Sequence, residues 1–285
     1  MIVRYRTSDD DVRVGIQREA NVTPLNMALS ELLHLPLRDF RARVEDAGRQ
    51  ERTDRLTHLL APIDGETEVW AAGVTYKRSE EARVEESATP DIYTKVYRAD
   101  RPELFFKATP RRVAGPDQPV VVRTDSTWDV PEPELAIVIN AHAEIVGYTI
   151  GNDVSSRSIE GENPLYLPQA KVYDGACALG PGIVPAWEVA DPYALAIRMR
   201  IHRGGKEHWR GETSMREFAR KLEQLVEVLF REDTFPSGVI ISTGTALVPE
   251  SPFTLEAGDE VEIEIDQLGN LRNPVVRGKK GRTAT

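Results

Sequence analysis

Residues Glu132-Pro-Glu134-Leu-Ala-Ile-Val-Ile139-Asn-Ala-His142-Ala-Glu144-Ile-Val-Gly-Tyr-Thr-Ile150-Gly-Asn-Asp153 read as two β-strands joined by a turn. Leu135 to Ile139 is a continuous apolar run, Asn140 to Glu144 supplies turn residues, and the chain becomes apolar again from Ile145 to Ile150. With the turn centred near His142, antiparallel partners have residue numbers that sum to about 284, which puts Asp153 beside Glu132 and Glu134. Those two glutamates are two positions apart, so in extended backbone they leave the same face. Adjacent carboxylates repel one another unless a cation sits between them. Three at one end of a hairpin offer hard oxygen ligands with coordination positions left open, a donor set that suits Mg²⁺, with Mn²⁺ as its substitute, and not zinc. The competing reading is a solvated strand end that carries unpaired acids.

Working outward, Ile2–Tyr5 and Val12–Ile16 pattern as a hairpin around Ser8–Asp11. Leu25, Ala28, Leu29, Leu32 and Leu33 recur at helical spacing and predict a helix over 25–35, stopped by Pro36. A second, more charged helix is expected over 37–47. The polar stretch Pro62-Ile-Asp-Gly-Glu-Thr-Glu68 marks a boundary between a small N-terminal α+β unit, residues 1–68, and a larger body, residues 69–285. Short β-type runs dominate that body: 103–107, 120–123, 134–139, 145–150, 195–201, 239–243 and 260–265. One amphipathic helix is expected over 214–230, with Phe218, Leu222, Leu225, Val226 and Leu229 inward. The fold class is α+β.

The composition, 40% hydrophobic and 29% charged in 285 residues, is that of a folded globular chain. No apolar run approaches the ~20 residues that cross a bilayer, and the amino terminus has no apolar signal core, so a cytoplasmic protein with no membrane partner is expected. Acidic residues outnumber basic ones 46 to 36, net −10, which opposes nucleic-acid binding. The local exception is Arg277-Gly-Lys-Lys-Gly-Arg282, expected to be a solvated, partly frayed tail. The single cysteine, Cys177, sits among small residues and is expected to be an inert core thiol.

Glu132-Pro-Glu134-Leu-Ala-Ile-Val-Ile139, Gly147-Tyr-Thr-Ile-Gly-Asn-Asp153-Val-Ser-Ser-Arg157, Gln169-Ala-Lys171 and Ser242-Thr-Gly-Thr245 resemble, in order and spacing, the motifs of the fumarylacetoacetate hydrolase superfamily. The resemblance covers about Val69 to Ile265. It implies a mixed, barrel-like β-roll, a homodimer or homotetramer, and Mg²⁺ held by Glu132, Glu134 and Asp153. Asp91 to Lys107 and Glu160 to Lys171 are similar to the branch that dehydrates 2-keto-3-deoxy-D-arabinonate. That closer likeness implies a small 2-keto acid substrate, dehydrated to 2,5-dioxopentanoate, with Glu103 and Lys171 as acid/base groups. Which is acid and which is base is left open. Arg157, Thr245 and Tyr76 are the candidate substrate-binding residues; each has a plainer reading, respectively as partner of the ligand carboxylates, as a strand-ending turn and as core packing.

The alternative is a hydrolase of acylpyruvates or diketo-deoxy sugar acids, cleaving a C–C bond. Hydrolases of the superfamily carry a His-x-x-Glu pair soon after the Gly-x-x-Tyr stretch, and here Ser79 stands where the histidine falls, with Glu80 or Glu81 as substitutes. A non-catalytic metal-stabilised scaffold is the third reading. It needs the carboxylates but has no use for Glu103 or Lys171.

Overall fold

The computed structural model describes residues 1–19, 21–49, 54–79, 81 and 90–282. Among them the hairpin of the opening stretch is present as Pro133–Ile139 and Ile145–Asp153. Pro133 pairs with Asn152 and Glu134 with Gly151, and a bulge shifts the register by one at Ile139↔Ile145. The hairpin lies inside a twelve-stranded mixed sheet among the described residues. On one side Ile145–Asp153 pairs with Cys177–Pro185, which in turn meets the N-terminal strand Ile2–Arg6. On the other, Pro133–Ile139 pairs with Val239–Ser242, followed by Glu68–Gly73 and Glu103–Ala108.

A second sheet runs Lys206–Ser214, Ala196–Arg203, Glu260–Ile265, Gly269–Arg277 and Val120–Val122. Its buried residues, Ile197, Met199, Val261 and Ile263 among them, join a core cluster with Leu135, Ile137 and Ile139. Ala136 and Val138, which point the other way, join a cluster with Leu29, Leu32, Leu33, Phe40 and Val44 from the helical layer. Burial on both faces explains why this strand is an unbroken apolar run and does not alternate. The result is an α+β fold.

The helix Leu37–Ala47 and the strand Glu260–Ile265 match the expected bounds. The helix expected over 25–35 is only Leu29–Leu33. Leu25 still donates its N–H to Val14 O as part of the sheet, and Asn26 takes a left-handed φ of 54°, so no helix can begin before them. The helix expected over 214–230 is likewise shortened to Leu222–Leu229. Ser214 closes an unanticipated polar strand, and Phe218 packs against the Tyr76 ring at 5.4 Å. Cys177–Pro185 and Gly269–Arg277, which carry glycine and proline, are strands that the pattern also missed. Cys177 is buried as expected, its thiol pushed up to about 12 by burial. The basic tail is not frayed: Lys279–Arg282 forms a short helix, and the Arg282 guanidinium donates to Arg112 O at 3.1 Å and Val113 O at 3.0 Å.

The N-terminal residues share one sheet and one apolar cluster with the rest, through Ile2↔Ile183 pairing and through Leu29, Leu33 and Ile63 packed with Val138 and Leu179. We propose that residues 1–68 serve as an accessory unit to the 69–285 body. Deleting them strips several buried aliphatic side chains, each contributing about 1.5–3 kcal/mol. The shortened chain is expected to lose solubility or to unfold at a markedly lower urea midpoint. An unchanged midpoint for residues 69–285 would show that the shared sheet contributes nothing.

Candidate metal centre and active site

The hairpin register brings the carboxylates of Glu132, Glu134 and Asp153 together, with ligand atoms within 4.8 Å of one another. All three are buried. Glu134 accepts a hydrogen bond from the Gly244 N–H at 2.8 Å. Gly244 has a φ of +93°, a left-handed conformation that favours glycine, and an added Cβ would collide with Thr75 Oγ1. Burial, then the charges of Asp153 and Glu132, push the Glu134 carboxyl up to about 8, while Lys171 and the Gly244 N–H pull it partly back. Hard oxygen donors and a buried excess of negative charge are what a divalent cation such as Mg²⁺ would satisfy, so these three residues fit the ion.

Two buried lysines face the carboxylates. Lys171 ends the helix Leu167–Lys171, and its Nζ donates to Ser155 Oγ (2.6 Å), Asp153 Oδ2 (2.9 Å) and Glu132 Oε2 (3.2 Å). The same Nζ lies 5.7 Å above the Phe105 ring. Lys107 forms an ion pair with Asp153 Oδ1 and donates to Lys171 O (2.6 Å) and Val154 O (3.2 Å). It thereby ties one metal-ligand candidate to the segment that carries the other lysine. Arg157 Nη2 stands 3.4 Å from Glu132 Oε1.

Glu103, Phe105 and Lys107 share one face of the strand Glu103–Ala108, and that face looks into the site. Glu103 pairs with Gly73, and its carboxylate lies where a Cβ on residue 73 would be. Glu103, Glu132, Glu134, Asp153, Lys171 and Thr245 line one cavity. Arg157 and Thr245 line the adjoining mouth, together with Arg78, Glu81 and Trp128. Ser79 lines both spaces, while Glu80 lies outside the described residues. Tyr76 departs from expectation. It is fully buried, its hydroxyl donates to Met215 Sδ at 2.9 Å, and it backs the site from the core without lining the cavity. Lys107, Ser155, Tyr93 and Glu160 were not anticipated, and the last two also line the cavity. A signal existed for Lys107, since it shares the strand parity of Glu103. None existed for Tyr93, which comes from a separate helix, Pro90–Arg98.

A family profile described as fumarylacetoacetate (FAA) hydrolase C-terminal matches residues 68–276. A probable 2-keto-3-deoxyxylonate dehydratase of Haloferax volcanii is 56% identical over 218 residues, 76% of this chain and 75% of the relative. A 2-dehydro-3-deoxy-D-arabinonate dehydratase of Saccharolobus solfataricus is 45% identical over 226 residues, covering 78% and 76%. Among solved structures, 2-keto-3-deoxy-D-arabinonate dehydratase complexed with magnesium and 2,5-dioxopentanoate superposes with a TM-score of 0.83 at 36% identity. That superposition covers 97% of this chain and 99% of the other.

Because the Glu134 carboxyl is raised from 4.5 to about 8, at pH 7 it holds a proton in the folded protein that the unfolded chain has already released. In the metal-free protein this group therefore costs stability progressively between those two values, and a cation must displace its proton. Magnesium affinity is expected to fall about tenfold per unit below pH 8, with about one proton released per ion at pH 7. Calorimetry in buffers of different ionisation enthalpy measures that number, and zero release would refute the assignment. Separately, Lys107→Met removes one of the two buried ammonium partners of Asp153, Lys171 being the other, and should destabilise the metal-free protein by about 1.5–3 kcal/mol in urea titrations.

Proposed function

The chain belongs to the fumarylacetoacetate hydrolase family, and from that premise we propose that it is a magnesium-dependent dehydratase converting a 2-keto-3-deoxy pentonate into 2,5-dioxopentanoate. The observation that carries this reading is a single cavity where three buried carboxylates meet Glu103 and Lys171. Glu132, Glu134 and Asp153 would hold the ion. When bound, magnesium supplies a positive centre that polarises the keto group of a 2-keto acid and makes its C3 protons acidic.

The protein then has two protons to manage. Lys171, whose Nζ donates to three neighbouring acceptors, is in this reading the donor to the departing C4 hydroxyl. Glu103, across the cavity, is the base that takes the C3 proton. Loss of H from C3 and OH from C4 releases water and leaves a C3–C4 double bond. Loss of one C5–H proton with protonation at C3 moves the double bond to C4–C5 as an enol, and passage of the enol O–H proton to C4 gives the aldehyde of 2,5-dioxopentanoate. Arg157 and Thr245, at the mouth, are placed to hold the substrate's oxygens.

The C–C hydrolase alternative has less support, because Ser79 faces the cavity where water activation calls for an imidazole. In the same reading the chain works in the cytoplasm as a homo-oligomer. The exposed Leu165, 84% accessible beside the site helix, supports a contact between copies.

Glu103→Gln and Lys171→Met are each expected to slow aldehyde formation by ~10²–10⁴ while magnesium still binds. A coupled semialdehyde dehydrogenase assay with a five-carbon 2-keto-3-deoxy acid reads this directly. Acetylpyruvate cleavage with no aldehyde from any such acid would overturn the dehydratase reading.

A further inference from the structure

The basic tail of an otherwise acidic sequence is absorbed into the fold at a place the reaction does not use. Gly278 N–H donates to Val122 O, and Arg282 clamps the carbonyls of Arg112 and Val113. Residues 277–282 are thereby held against residues 111–112, 121–125 and 172–174. Between these segments opens a cleft of about 690 Å³. Arg111, Arg112, Arg123, Arg277, Lys279 and Lys280 line it, opposed by only two acids, Asp125 and Asp174. The excess of four positive charges stands on a chain whose net charge is −10. The cleft shares no lining residue with the metal-site cavity.

The acids satisfy particular cations and leave others. Arg123 is held by Asp125 at 2.8 and 2.6 Å, and Arg111 stands 3.3 Å from Asp174. Arg112 and Lys279 have no anionic partner among the described residues. Like charges gathered from three segments repel one another, and a bound anion relieves that repulsion. Arg123 is also pre-positioned: its guanidinium lies 5.4 Å over the Tyr173 ring, and Nη1 donates to Gln169 O at 3.1 Å. Guanidinium forks match the oxygens of a phosphate in two-pronged fashion.

We propose that this cleft is a binding site for a small phosphate-bearing anion, and that its occupancy acts on the reaction through the Lys171 segment. Four excess charges match a multiply charged phosphate better than a singly charged keto acid. A nucleic acid is disfavoured because the surrounding chain is strongly acidic. The route to the reaction is short. Arg123 holds the carbonyl of Gln169, two residues before Lys171, and Arg111 holds Asp174, three residues after it. An anion that recruits either arginine competes with a contact that fixes the lysine's backbone. This coupling rests on the catalytic role given to Lys171, whereas the binding itself does not.

Calorimetry with pyrophosphate, on metal-free protein at low salt, tests the site independently of the reaction. One saturable site per chain is expected, weakened about tenfold or more in the Arg112→Gln/Lys279→Gln double variant and unchanged in Glu132→Gln. Absence of saturation in wild type overturns the site. So does binding that survives in the double variant but disappears in Glu132→Gln, since the anion then occupies the metal centre. A double variant that sediments as a different oligomer, together with no pyrophosphate binding to wild type, makes the cleft a contact between copies and also overturns it. For the coupling, inorganic phosphate at fixed free magnesium should shift kcat of wild type and leave that of the double variant unmoved. Saturable binding with no shift in kcat overturns the coupling.

Discussion

Glu132, Glu134 and Asp153 hold three carboxylates within 4.8 Å of one another, away from bulk water. At an effective dielectric of ~20, each such pair of charges repels by at least about 3 kcal/mol. The surrounding structure answers that cost locally. Lys107 and Lys171 pair with Asp153 from different segments, Arg157 approaches Glu132, and a backbone N–H at Gly244 serves Glu134. Even so, the Glu134 carboxyl remains pushed up to about 8. An arrangement that stays this acidic after two lysines and an arginine have been supplied is built to take a divalent ion.

The hairpin can bear such a site because both of its faces are packed. Leu135, Ile137 and Ile139 are fixed by the five-stranded sheet, and Ala136 and Val138 by the helical layer. A one-residue slip would exchange these two sets and rotate the carboxylates away from Lys171. Core packing therefore sets the precision of the ligand positions. Glu103 and Lys171 reach the cavity from opposite sides, Glu103 from the far strand of the sheet and Lys171 from a short helix after Arg157, so the cavity closes only when these elements dock.

The same docking gathers positive charge elsewhere. The tail brings lysines and an arginine to a cleft whose other cations come from two earlier segments, and Arg123 links that cleft to the backbone of the Lys171 helix. Negative charge is concentrated at one place to hold a cation, and positive charge at another, with the helix of Lys171 between them.

The sequence by itself brought Glu132, Glu134 and Asp153 to one end of a hairpin, since strand periodicity and register arithmetic suffice for that, and motif resemblance gave them a metal to hold. Motif resemblance singled out Glu103 and Lys171, which line the cavity with the triad, and the small-residue run around Cys177 indicated its burial. The sequence misjudged the first half of the helix expected from residue 214, because apolar spacing there serves a strand end and a contact with Tyr76. It misplaced Tyr76, because a tyrosine near a site motif looks alike whether its hydroxyl meets substrate or, as here, Met215. Lys107, Ser155, Glu160 and Tyr93 were decided only by tertiary structure. Each is unremarkable in its own segment, and what matters about it is its closeness to groups far along the chain, Lys107 to Lys171 across 64 residues and Ser155 to Lys171 across 16, which local periodicity does not encode. The basic cleft follows the same rule: four short segments, only one of them conspicuously basic, become a site once packing removes the chain length between them.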